Sequence, residues 1–346
     1  MLELKIIYDK ERGNIVTRIV TMELKYQVLK ILEENRGNSV NGAKLAKELF
    51  VTRSSIWKAV KSLQKDGYRI EAVTNRGYHL LQDNDIVSAE SITPFLKGLA
   101  ATFQLDVRQS VTSTNTLAKE AAARGAKEGT VIIAREQTEG RGRMGRSFYS
   151  PDSSGIYFSI ILRPTLNLED SLLITTSTAV AVAKAIETIS KVNTSIKWVN
   201  DIFVGNKKVC GILTEASLNF ESGGLEYAVV GIGINTWTQN FPEEIKEIAG
   251  SLFQDKPGNS PATSMLVAEV LNNLAKSMNS LTDKKYLEEY RKRSFLLGKE
   301  ILVLRGKDST PAKAIDIDEK ARLVVEYEDH SREALVSGEV STRVRS

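Results

Sequence analysis

Apolar positions along this chain change their period several times, and each change predicts a different kind of element. From Met22 the repeat is helical: Leu24, Val28, Leu29, Ile31 and Leu32 share one face, and the pattern stops at Arg36-Gly37-Asn38. Ser39 to Gly42 then leads into a second short helix over Ala43–Leu49. Thr52 can cap a third, in which Ile56, Val60 and Leu63 recur at i, i+4 and i+7. The period then falls to two over Gly67–Val73 and Gly77–Leu81, with Thr74-Asn75-Arg76 as the tip of a hairpin. Two helices joined by a tight turn and followed by a hairpin make a winged helix-turn-helix, whose second helix enters the DNA major groove. Here that helix offers Arg53, Ser54, Ser55, Trp57, Lys58 and Lys61, and the wing offers Arg76. The segment from Met22 to Gln82 holds 11 Lys/Arg and 6 Asp/Glu, which suits phosphate contact. A winged helix used only for protein contacts is the competing reading. Ahead of it, Met1 to Thr21 alternates apolar residues at Ile6, Ile7, Ile15, Val16 and Ile19, and is taken as an extension without assigned function.

A second region, from about Asp85 to Ser294, has its own pattern. Val131–Ala134 and Gly155–Leu162 are β-branched or aromatic runs that read as strands, and Ser171–Lys191 is an Ala-rich helix apolar on most faces, hence buried. Four further short alternating runs, Ile301–Leu304, Ala312–Ile317, Leu323–Val325 and Ala334–Val336, predict a small SH3-like barrel at the C-terminal end.

Composition adds limits. The 346 residues are 42% hydrophobic and 26% charged, with a net charge of +4: an ordinary globular balance for two or three domains, without a basic coat. A single cysteine, Cys210, allows no intramolecular disulfide and fits a reducing, cytoplasmic setting. The apolar runs read as far short of a membrane span, and the charged N-terminus does not read as a signal peptide. Two histidines, His79 and His330, both taken as surface residues, leave no basis for a Ser-His-Asp hydrolase or a His-rich zinc site.

The chemistry sits in four polar or glycine-rich clusters at strand ends. The densest is Gln137 to Arg146, where Gly140, Arg141, Gly142, Arg143, Gly145 and Arg146 lie between two predicted strands. Glycine allows close backbone approach and Arg offers a planar fork of donors, so the loop reads as an anion cradle rather than a solvated basic hairpin or an RGG-like nucleic-acid contact. The others are Ser113-Thr114-Asn115 at a helix start, Lys197-Trp198-Val199-Asn200-Asp201 with Lys208 and Gly211 following, and Gly231-Ile232-Gly233-Ile234-Asn235.

In this order and spacing the clusters resemble the biotin–protein ligases, and the winged helix in front resembles the bifunctional type that also represses the biotin operon. The resemblance runs from about Met22 to the C-terminal end. It implies an α+β multidomain chain: an extension 1–21, a winged helix 22–84, a ligase domain 85–296 with a mixed, class II synthetase-like sheet, and an SH3-like domain 297–346. It implies biotin and ATP as substrates, with Mg²⁺ expected but its ligands unidentified. Biotinyl-5′-AMP would be made first and then passed to a lysine of a biotin carrier domain, in acetyl-CoA carboxylase or pyruvate carboxylase. The adenylate-bound homodimer would bind operator DNA, with no membrane involved.

By the same resemblance Ser113, Thr114, Asn115 and Gln137 hold the biotin head group, joined by Gly140, Arg141, Gly142, Arg143, Lys197, Gly211, Gly231 and Gly233. Arg143, Arg146, Phe148, Asn200, Lys208 and Asn235 face the nucleotide, and Lys197 and Arg143 serve catalysis. The Gly-Arg loop would order over bound ligand. The glycines would let the ligand approach the backbone. For Ser113 or Thr114 a helix N-cap is the plainer reading. Val199 stands where the family has proline, which would loosen the turn modestly. Phe148 stands where relatives have tryptophan, which would weaken but not abolish stacking on adenine. Two other functions compete: a biotin-responsive regulator without ligase activity, and a lipoate or octanoate ligase.

Overall fold

The structure is a computed structural model that describes residues 2–9, 14–21, 23–219, 224–257, 260–279, 281–305, 308–336 and 339–341. Met22, the expected start of the winged helix, lies outside the described residues. The chain forms two compact units, Met1–Pro94 with Pro257–Ser264, and Phe95–Lys256 with Met265–Ser346.

In the first unit, β1 (Leu2–Asp9) and β2 (Asn14–Thr21) pair antiparallel, so the described part of the leader has regular structure. Three helices follow: α1 (Leu24–Glu34), α2 (Gly42–Glu48) and α3 (Arg53–Lys65), with β3 (Ser39–Val40) between the first two. The caps form as the residue types predict. Asn41 Oδ1 accepts from Ala43 N at 2.8 Å, and Thr52 Oγ1 accepts from Ser55 N at 3.1 Å. The wing is β4 (Ile70–Val73) and β5 (Gly77–Leu80), turning through Asn75 and Gly77 at positive φ, with β3 added on the far side of β5. Ile56, Ala59, Val60 and Leu63 of α3 bury themselves against Val28, Leu29 and Leu32 of α1 and Leu80 of the wing. The end of α1 is tied down by a buried ion pair: Arg36 binds Glu33 at 2.6 Å and donates to the carbonyls of Leu81 and Asn84. A short helix α4 (Ala89–Ile92), begun by a Ser88–Ser91 capping box, completes this segment.

The second unit is built on a seven-stranded mixed sheet. Its strands are β6 (Gln104–Val111), β7 (Thr130–Gln137), β8 (Gly155–Leu162), β9 (Ser195–Lys197), β10 (Asp201–Val204), β11 (Lys207–Leu218) and β12 (Leu225–Asn235), in the order β6-β7-β8-β12-β11-β10-β9. Only the β6–β7 pairing is parallel. The crossover between those strands is α5 (Thr114–Ala123), which lays Ala118 and Ala122 on Ile132, Ile161 and Val229. The long α6 (Ser171–Ser190) ends at Lys191, whose φ of 59° lies in the left-handed region. Leu168–Ser190 is apolar and long enough, by length and composition alone, to cross a membrane. Most of that span is buried inside the protein, so its apolarity serves the core.

Two helices, α7 (Ala262–Asn279) and α8 (Tyr286–Arg293), lead to the C-terminal strands β13 (Glu300–Arg305), β14 (Asp308–Ile317), β15 (Leu323–Glu326), β16 (Arg332–Leu335) and β17 (Glu339–Ser341). These form a small antiparallel sheet in the order β16-β15-β14-β13-β17. Val336, expected to close one of these runs, lies beyond β16 and is exposed.

Candidate functional site

A cavity of about 440 Å³ opens on the second unit where strand ends and loops converge. Each of the four clusters contributes to it. From the first come Ser113, Thr114 and Asn115, and from the second Gln137, Arg141, Gly142, Arg143, Arg146 and Phe148. The third contributes Lys197, Asn200, Lys208 and Gly211, and the fourth Gly231 and Gly233. Two residues expected there do not line it. Gly140 is covered: a Cβ on it would meet Phe148 O at 2.4 Å. Asn235, the last residue of β12, is buried; its Nδ2 donates to Gly250 O at 3.1 Å and its Oδ1 has no partner among the described residues.

Register explains the arrangement. Gly211 and Gly233 face one another across β11 and β12, and Gly231 faces Ser159 across β12 and β8. Where side chains are missing, other side chains settle. A Cβ on Gly233 would lie 2.6 Å from the Phe148 ring, one on Gly211 3.0 Å from it, and one on Gly231 1.9 Å from Asn115 Oδ1. The glycines therefore admit the side chains of Phe148 and Asn115 at the cavity wall. Phe148 also meets the Tyr157 ring edge-on at 6.3 Å.

At the start of α5, Ser113 occupies the N-cap position without a side-chain capping bond. Thr114 is engaged elsewhere: its N and Oγ1 both bond Gln137 Oε1, at 2.9 and 3.1 Å. Gln137 Nε2 donates to Ser150 Oγ at 3.0 Å, which fixes the orientation of the amide. Plain helix capping thus does not account for these side chains.

The Gly-Arg loop is already folded as a tight turn. Gly142 N donates to Arg146 O at 2.7 Å, Phe148 N to Gly140 O at 2.9 Å, and Arg141 bridges to Ser147. Met144 and Gly145 form its tip at positive φ, and Met144 is exposed. Arg143 reaches across to Asn200 Oδ1 at 3.2 Å, and Asn200 Nδ2 donates to Ile212 O at 2.6 Å. Lys208 pairs with Asp201 at 2.7 Å.

Lys197 ends β9, opposite Asp201 on β10. The Trp198–Val199 peptide is cis, and Val199 is buried. The segment is held from two sides: Tyr290 Oη donates to Val199 O and Trp198 Nε1 donates to Ala321 O, both at 3.0 Å. Burial keeps the Tyr290 phenol protonated well above its ordinary range. These bonds hold the turn in which Val199 stands in place of the family's proline.

Sequence reasoning missed several contributors. Ser159, Ser150 and Glu215 are polar residues inside strands or loops, without the local spacing that would single them out. Leu304 brings the C-terminal sheet to the cavity wall and Ile248 comes from a loop; only the tertiary fold places either there. Cys210 is fully buried, and burial pushes its thiol far up, so it stays protonated and unreactive. Among the described residues no three His, Cys, Asp or Glu side chains cluster as metal ligands.

In the first unit, Arg53, Ser54, Lys58 and Lys61 are exposed on α3 and Arg76 is exposed at the wing tip. Lys61 lies 6.0 Å from the Trp57 ring centroid, and Trp57 is half exposed. Ser55 is half-buried, and its hydroxyl lies 2.9 Å from Thr52 Oγ1 beside the cap. His79 is half-buried in β5, and His330 is exposed at a turn.

Comparison with known proteins gives the context. The model of the biotin/lipoate A/B protein ligase family matches residues 107–235, an HTH domain matches 25–79, and the biotin protein ligase C-terminal domain matches 296–343. The bifunctional ligase/repressor BirA of Bacillus spizizenii is 37% identical over 233 residues, covering 67% of this chain and 71% of that protein. The bifunctional ligase/repressor BirA of Escherichia coli is 24% identical over 314 residues, covering 89% and 94%. A solved structure of the biotin protein ligase from Aquifex aeolicus in complex with biotin and ATP superimposes with a TM-score of 0.57 at 29% identity, covering 69% of this chain and 97% of that one.

Proposed function

Because this chain belongs to the family of bifunctional biotin ligase/repressors, we propose that it activates biotin with ATP, transfers it to a lysine of a biotin carrier domain, and binds operator DNA as an adenylate-bound homodimer. The observation that carries the reading is the convergence of four separate sequence clusters on one cavity. In the first step a carboxylate oxygen of biotin attacks the α-phosphorus of ATP and pyrophosphate leaves, giving biotinyl-5′-AMP. In the second, the carrier lysine's amine attacks the anhydride carbonyl, an amide forms, the amine loses a proton, and AMP leaves.

The chain's own residues supply position and charge rather than a nucleophile. Lys197 places a cation where two anions must meet, and Arg143 offsets charge as pyrophosphate departs. Ser113, Thr114, Asn115 and Gln137 pair with the polar head group of biotin, which would otherwise be buried unsatisfied. Arg141, Gly142 and Gly140 form the loop over it, with Gly211, Gly231 and Gly233 as the floor. Arg146, Phe148, Asn200, Lys208 and Asn235 serve the nucleotide. Asn235, which does not line the cavity, does so indirectly, its Nδ2 holding Gly250 O at 3.1 Å. Mg²⁺ would bind the nucleotide phosphates and neutralise them; with no acidic cluster among the described residues, no step is assigned to protein-bound metal.

The segments 1–21, 22–84, 85–296 and 297–346 are the functional divisions of this reading. The central sheet is class II synthetase-like, supported by its mixed topology. The C-terminal module is an SH3-like barrel, supported by five short antiparallel strands. Acceptors are the biotin carrier domains of acetyl-CoA carboxylase or pyruvate carboxylase. A twofold dimer suits a palindromic operator, and Arg53, Ser54, Lys58, Lys61 and Arg76 supply the contacts from the exposed face and the wing.

The test is incubation with biotin, ATP, Mg²⁺ and a carrier domain, following the carrier's intact mass beside a Lys197→Ala control. A gain of one biotin, much slower in the control, is expected. No gain with biotin still bound would leave a regulator without ligase activity. No binding of biotin would overturn the whole reading.

A further inference from the structure

Asn115 is tightly constrained among the polar side chains of the cavity. Its Nδ2 donates to Glu215 Oε2 at 2.9 Å and to Leu213 O at 3.2 Å, and its Oδ1 lies 2.6 Å from Ser159 Oγ. The two ends of an amide have nearly the same shape and differ in polarity. A carboxylate and a carbonyl only accept, so both neighbours demand the NH₂ end. Oδ1 is thereby turned over Gly231, into space that a Cβ would fill. One lone pair takes the Ser159 hydroxyl, and the other is left for a ligand.

Glu215 is itself held. Lys119 Nζ lies 2.5 Å from its other oxygen, Oε1. Lys119 follows Asn115 by one helical turn on α5, so one helix face presents both the amide and the cation that steadies its carboxylate. Burial pushes the Glu215 carboxyl up, but the bonds from Lys119 and Asn115 outweigh it, with Arg141 adding to them, and the net shift is down. The carboxylate remains an acceptor at neutral pH.

We propose that Glu215, braced by Lys119, is a positioning residue that fixes the Asn115 amide with its oxygen facing the cavity, so that this subsite selects a ligand edge that donates an N–H. The proposal rests on the ligase reading above, in which a cyclic urea supplies that N–H. A ligand carrying an acceptor at the same edge would meet an oxygen and be refused.

The experiment measures biotin-dependent adenylate formation by the full chain with Glu215→Gln, varying biotin and ATP separately. Glutamine keeps the shape, but its amide can face either end of Asn115. The expected result is a rise in KM for biotin of about tenfold with KM for ATP nearly unchanged, the signature of one lost binding contact. Lys119→Met should raise KM for biotin less and Lys119→Arg should restore it. The lysine variants carry the test should Glu215→Gln fail to fold. Unchanged KM for biotin in Glu215→Gln and Lys119→Met, beside an active wild type, would overturn this proposal alone. A wild type unable to adenylate biotin would overturn the ligase reading and this proposal with it.

Discussion

The indole Nε1 of Trp198 donates to the main-chain oxygen of Ala321 at 3.0 Å, joining the Lys197 segment to the C-terminal sheet. Both residues are buried, and Ala321 sits at positive φ in a turn. The C-terminal sheet, which also supplies Leu304 to the cavity wall, is thus anchored next to the proposed catalytic lysine.

Trp198→Phe removes the donor and leaves a buried carbonyl unsatisfied, a cost of about 1–3 kcal/mol. Calorimetry should show a Tm lower by several degrees. An unchanged Tm would mean that water or another donor takes the place of the indole.

Gly231→Ala should weaken biotin binding while leaving the sheet intact. The new methyl would sit 1.9 Å from Asn115 Oδ1, and that amide cannot yield without leaving Glu215. Overpacking costs about 1–3 kcal/mol, a loss of roughly ten- to a hundredfold in affinity. Titration calorimetry with biotin reads it, and wild-type affinity would show that Asn115 moves freely. Gly233→Ala should instead displace the Phe148 ring and be felt chiefly in KM for ATP.

Arg293 binds Glu187 Oε1 at 2.5 Å and also Glu289, joining α8 to the end of α6. Burial pushes the Glu187 carboxyl up, but hydrogen bonds from Arg293 and Thr194 outweigh it, so its folded pKa lies below the ordinary 4.5. A depressed carboxyl stabilises the fold fully above the ordinary value, and that stability is lost as pH falls through the folded value. Arg293→Met should therefore lower Tm strongly at pH 7, and the gap to wild type should narrow in acid below that range. A gap equal at both pH values would show that the loss is one of packing.

Lys58→Ala on α3 should weaken binding to operator and to unrelated duplex alike. If Lys58 contacts one phosphate, the slope of log K against log salt should fall by about one between roughly 50 and 200 mM. Fluorescence anisotropy with labelled DNA measures it. An unchanged slope with lower affinity for operator alone would assign the lysine to a base.

Much of this protein was legible in the residues themselves. Local periodicity set α1, α3 and the wing, because a helix or hairpin must turn one face inward and a residue's neighbours along the chain fix that face. Thr52 as a cap is equally local, needing only the backbone N–H three residues on. The Gly-Arg loop and Ser113-Thr114-Asn115 were visible because their chemistry is concentrated in short runs. What the tertiary structure decided lies in contacts between residues far apart in sequence. Register across β8, β12 and β11 set Gly231 opposite Ser159 and Gly211 opposite Gly233, and so filled the floor with Asn115 and Phe148 rather than leaving it bare. The same register brought Glu215, 100 residues from Asn115, to its amide. It left Gly140 covered and Asn235 buried, because a strand end's exposure depends on what packs over it, which no local pattern encodes.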